Sequence, residues 1–188
     1  EGKPKIALAS ATAVVAHVEP IKVPADNTTG VNMRILMLRG NLGTAARAAI
    51  QLGDYAQTET LARRWAKVPP APFDTDDPRE LSSTIAAVLA DAVAMQGRHD
   101  EANNILQPAL AYYREQQQAG AHGTQFRRDF AYALYVNAIA APTDAAGQKQ
   151  RRSDLDEAGK LIAGASAEAQ KLADLRYVSG LIAAAERR

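Results

Sequence analysis

Small and apolar residues recur along this chain at helical spacing. Leu89, Ala90 and Val93 form one such set, Gly97 interrupts it, and Ala102, Leu106 and Ala109 form the next. A turn of a few residues around Gly97 brings two antiparallel helices into contact; alanines let the backbones approach, and glycine supplies the left-handed conformation the turn needs. The same pattern stands earlier, with Ala46 and Ala49 as small crossing residues, Leu52-Gly53-Asp54-Tyr55 as the turn, and Leu61, Ala62 and Trp65 on the returning face. Tyr55 and His99 occupy equivalent posts. The pattern predicts an all-α fold, an α-α superhelix of antiparallel hairpins.

A small residue in a first helix, a Gly-Asp-Tyr turn, alanines in a second helix and Pro70 after it resemble the tetratricopeptide repeat family. The two clear units span 39–72 and 79–114. In the first, Thr58 and Trp65 stand where the family carries second-helix alanines, which predicts looser or displaced packing. In the second, Arg114 replaces the proline, and Pro108 inside the returning helix predicts a kink. The units lie farther apart than the family's repeat of about 34 residues. The excess falls in the linker Val68 to Asp76, where Phe73 is expected to pin the loop; Asp77-Pro78-Arg79-Glu80 then starts the next helix with an N-cap, a first-turn proline and a capping-box glutamate.

A degenerate unit is expected over 125–165, with Phe126 to Ala141 outgoing and Ser153 to Ala165 returning. Pro142 to Arg152, polar and holding Gly147, reads as an insertion between them, and Ser153 with Asp156 as the returning helix's cap. Residues 167–186, with Leu172, Leu175, Val178 and Ile182, read as a closing helix. At the other end Ile6, Ala9, Ala13 and Ala16, followed by Pro20 and Pro24, match half a repeat over 1–24. The whole is read as a single repeat domain, and a chain that opens on a second helix is read as the C-terminal part of a longer protein.

Composition narrows the function. The 188 residues are enough for a sizeable core, and aromatic content of 5% beside abundant alanine suits close-packed helices. Lys and Arg number 22 against 21 Asp and Glu, so no long-range field recruits nucleic acid or anionic lipid. The weakly polar run Ile6 to Ala16 is shorter than the roughly 20 residues a membrane span needs. Without cysteine there are no disulfides and no thiolate sites, and both cytoplasmic and extracytoplasmic placements remain open.

No pattern of an active site stands out. His17, His99 and His122 are isolated from one another and from paired carboxylates, so neither a metal nor a cofactor is expected. Ser82-Ser83-Thr84 lacks a nucleophile elbow, and no phosphate-cradling glycine loop occurs. The acidic cluster Asp74, Asp76 and Asp77 is interrupted by Pro78 and lacks a calcium loop's glycine and terminal glutamate. Arg63-Arg64-Lys67, Arg127-Arg128 and Lys149-Arg151-Arg152 are short basic groups with acids nearby, read as solvated helix faces.

The tetratricopeptide resemblance implies a groove lined by first helices, at Arg47, Ile50 and Gln51, then Thr84, Asp91 and Met95, then Arg127, Leu134 and Asn137. The mixed signs of Arg47, Asp91 and Arg127 speak against a basic clamp for a terminal carboxylate. The expected function is a non-catalytic scaffold that binds a protein or peptide partner within a larger regulatory or membrane-associated protein. The alternatives are a self-associating spacer that pairs through an uncapped end or the Tyr112-Tyr113 face, or a small-molecule sensor or enzyme whose site is assembled from scattered residues.

Overall fold

Helical spacing becomes eight α-helices in the computed structural model, which describes residues 3–73 and 77–187. They are α1 (Lys3–Val18), α2 (Thr28–Gln51), α3 (Tyr55–Trp65), α4 (Pro78–Ala94), α5 (His99–Gln118), α6 (Thr124–Ala140), α7 (Ala145–Ala163) and α8 (Ala173–Glu186), with a 3-10 turn at Ala169–Lys171. Among the described residues there is no strand, and no helix is long and apolar enough to cross a membrane. The fold is all-α. The chain divides into two compact units, Glu1–Gln96 and Gly97–Arg188, so the predicted 79–114 hairpin contributes α4 to one and α5 to the other.

In the first unit each helix packs on the next, and α2 also touches α4. The turn between α2 and α3 is as expected. Gly53 has φ +75°, its N–H donates to the Ile50 carbonyl at 3.0 Å, and the Asp54 N–H donates to the Ala49 carbonyl at 3.0 Å. Asp54 then caps α3 by accepting the Gln57 N–H at 3.0 Å. Gly97, φ +80°, adopts the same left-handed conformation after α4.

Several expectations for this unit need correction. Packing at Trp65 is not loose. The indole is buried, and it fits where Gly43 has no side chain, since a Cβ there would approach the ring to 2.7 Å. Thr58 is also buried, its hydroxyl donating to the Asp54 carbonyl at 2.8 Å. The packing face of α1 is Ala11, Val15 and Val18, whereas Ile6, Ala9, Ala13 and Ala16 are exposed. Branched Val15 and Val18 bury more apolar area than alanine, and that decides which stripe turns inward.

Asp77 caps α4 by accepting the Arg79 N–H at 2.9 Å, with Pro78 in the first turn. Phe73 does not pin the preceding loop, because its ring is exposed; its backbone N–H donates to Asn32 Oδ1 at 3.2 Å, and among the loop's described residues it is Ala71 that is buried. Asp74 and Asp76, named in the linker and acidic cluster, lie outside the described residues.

In the second unit α6 is the central helix, packed by α5, α7 and α8. Phe130 and Leu134 on α6 have no exposed surface, and burial of such side chains contributes about 1.5–3 kcal/mol each. Tyr113 stacks on Phe130 with ring centroids 5.6 Å apart, and Tyr112 lies edge-on to Tyr113 at 5.4 Å. Both tyrosines are buried, so they form no exposed face for pairing with another copy. Helix α5 runs through Pro108 from His99 to Gln118.

The predicted insertion after α6 is mostly helix. Only residues 141–144 form the turn, and α7 begins at Ala145 with Asp144, not Ser153, accepting the Gly147 N–H at 2.8 Å. The closing segment is split instead. Leu172 has extended backbone, φ −64° and ψ 137°, and is exposed, while Leu175, Val178 and Ile182 of α8 are buried.

Candidate functional site

On α5, Asn103, Asn104, Gln107, Ala111 and Arg114 recur every three or four residues and share one face. The small side chain of Ala111 opens the middle of that face. Beside it lie Asn137 and Ala141 at the end of α6, Pro142 in the turn and Gln150 on α7. Together they line a groove of about 600 Å³, within the size range of ligand sites. From Asn103 to Arg114 the wall rises about 16 Å at the helical repeat, the length of about five extended residues.

The groove is built on a buried carboxylate. Asp154 on α7 is 1% exposed; one of its oxygens accepts from Asn137 Nδ2 at 2.7 Å and the other from Gln150 Nε2 at 2.8 Å. Each amide gives an N–H to Asp154, which fixes its orientation, and also carries a carbonyl oxygen that can accept from other donors. Asn103 Nδ2 donates to the Ala140 carbonyl at 3.2 Å and so caps α6. Asn104 and Gln107 are exposed on the α5 wall.

Burial pushes the Asp154 carboxyl up from its ordinary value near 3.8, against the bonds from Gln150 and Asn137 and the field of Arg114, which pull it down. The folded protein therefore binds this proton more readily than the unfolded chain does. Its contribution favours folding below the ordinary value and is lost as pH rises through the higher folded one. Asp154→Asn keeps the side-chain shape, and Gln150 can turn its amide to accept from the new one. Thermal melts across that window, followed by circular dichroism, are expected to show a flatter pH dependence for the variant than for the wild type. Superimposable profiles would mean that Asp154 does not titrate there.

Of the positions predicted to line a groove, Asn137 alone lines this one. Leu134 has no exposed surface, and Ile50 and Asp91 are buried, so these three face the interior rather than an open wall. Arg127 is occupied at helix ends, its Nε donating to the His122 carbonyl at 2.8 Å and its Nη1 to the Leu161 carbonyl at 3.5 Å. Thr84 donates its hydroxyl to the Glu80 carbonyl at 3.1 Å. Arg47 sits 5.2 Å from the Trp65 ring centroid in a cation–π contact, while Gln51 and Met95 are exposed.

The basic groups are engaged largely within the chain. Arg63 pairs with Glu59 at 2.8 Å, Arg64 with Glu19 at 2.9 Å and Arg128 with Asp129 at 2.7 Å, and Arg151 donates to the Ala185 carbonyl at 3.1 Å. The α5 wall escaped sequence reasoning because it lies on a second helix, where the family resemblance directs attention elsewhere. Its signal was nonetheless present as Asn103, Asn104, Gln107 and Arg114 at helical spacing, interleaved with Leu110 and Ala111.

Comparison of the chain with protein-family models, with curated proteins and with solved structures found no match.

Proposed function

We propose that this chain is a non-catalytic helical-repeat module of the tetratricopeptide-like kind, and that it holds an extended segment of a partner protein in the groove between α5 and α7. The observation that carries this reading is the amide lining of the groove. An extended main chain presents N–H donors and carbonyl acceptors in alternation, and Asn and Gln offer both from one neutral side chain. Asp154 holds two of these amides in place, which lowers the ordering cost of binding.

The test is selection from a randomised peptide library displayed on phage, followed by fluorescence anisotropy with the selected peptides. Asn104→Ala combined with Gln107→Ala removes two exposed amides from the wall. It is expected to weaken peptide binding by about tenfold or more, the worth of one or two such hydrogen bonds, with an unchanged circular dichroism spectrum. Failure to select any peptide, or equal binding by the double variant, would overturn the proposal.

A further inference from the structure

We propose that the segment taken by this groove carries a carboxylate, which pairs with Arg114 while the amides bond its main chain. The inference rests on the reading of the groove as a peptide site and adds the chemistry of the partner. Among the described residues, Arg114 is the only ionisable one in the lining. It is exposed, and none of the ion pairs among the described residues uses it. The anion behind it, Asp154, is buried and has given both oxygens to Asn137 and Gln150, so the guanidinium feels its field without bonding to it.

A free guanidinium at one end of a groove otherwise lined by amides and by the uncharged Leu110, Ala111, Ala141 and Pro142 matches a planar carboxylate in charge and in its two-donor geometry. A basic segment is repelled there. The spacing places the acid as well as requiring it. Arg114 stands seven positions beyond Gln107 on the same face, a rise of about 10 Å. The carboxylate therefore falls about three extended residues from the stretch bonded at Gln107. Either an Asp or Glu side chain or a chain-terminal carboxylate supplies this chemistry.

Peptides selected on the wild-type protein are expected to share an acid at one position. Replacing that acid by its amide, or amidating the C-terminus in a separate peptide, identifies which carboxylate is used and should cost about tenfold in affinity, as loss of a charge-assisted bond does. Arg114→Gln is expected to bind as weakly as the neutralised peptide does to the wild type, and to ignore the neutralisation. Lys149→Gln, an exposed cation outside the lining, controls for overall charge and should bind as the wild type does. Selected peptides that bind the wild type equally with and without the carboxylate, or undiminished binding by Arg114→Gln, would overturn the inference. The groove itself would still stand if Asn104→Ala with Gln107→Ala abolished binding, and no selected peptide at all would remove both.

Discussion

Gly147→Ala is expected to destabilise the protein by about 3 kcal/mol, the upper part of the range for overpacking, whereas Gly159→Ala in the same helix is expected to stabilise it by up to about 1 kcal/mol. The contrast follows from what a methyl group meets. At Gly147 a Cβ would collide with the backbone carbonyl of Pro142, and a backbone cannot rotate away as a side chain can. At Gly159 nothing lies within 4 Å, so alanine only reduces the freedom of the unfolded chain and improves helix propensity. The close approach at Gly147 is what permits the turn of residues 141–144, and Pro142 and Ala141 belong to the groove lining. Urea unfolding of both variants checks the pair. A Gly147→Ala midpoint equal to that of the wild type would mean that the turn yields to the methyl group.

The second large effect is expected at Leu134, where truncation to alanine should cost about 2–5 kcal/mol, against less than about 0.5 kcal/mol for Met95→Ala. Family resemblance gives these two residues the same role on a groove wall. Their burial separates them: Leu134 has no exposed surface, while Met95 is 40% exposed. Leu134 lies on α6 one turn beyond Phe130, so the cavity left by truncation opens in the centre of the second unit. Chemical denaturation of the two variants measures the difference. A small loss at Leu134 would place it on a surface, as the resemblance implies.

Turns and caps were the most legible features of this chain. The motif around Gly53 and Asp54 and the cap at Asp77 are local: positive φ, a side-chain acceptor and an exposed N–H all lie within a few residues. The beginning of α7 was not legible by the same reasoning. Gln148, Lys149, Gln150 and Arg152 are exposed and leave no apolar stripe, so hydrophobic periodicity has nothing to register there although these residues favour a helix. Facing choices were harder still. In α1 two stripes of small residues compete, and the one containing Val15 and Val18 packs against α2.

The candidate site shows the same division. Asn103, Asn104, Gln107 and Arg114 can be placed on one helix face from their spacing alone, because an α-helix repeats every 3.6 residues or so. Nothing in the spacing joins Asp154 to Asn137 across α7 and α6, or turns both amides toward it. What the amino-acid order determined by itself was the all-α class, the glycine turns at Gly53 and Gly97 and the Asp77 cap, since each depends on neighbours in the chain. Only the tertiary structure decided which faces are buried, that Leu134 is core while Asn137 reaches a groove, and that a buried carboxylate organises that groove. Those outcomes depend on which surfaces exclude water together, and residues distant in the chain determine that.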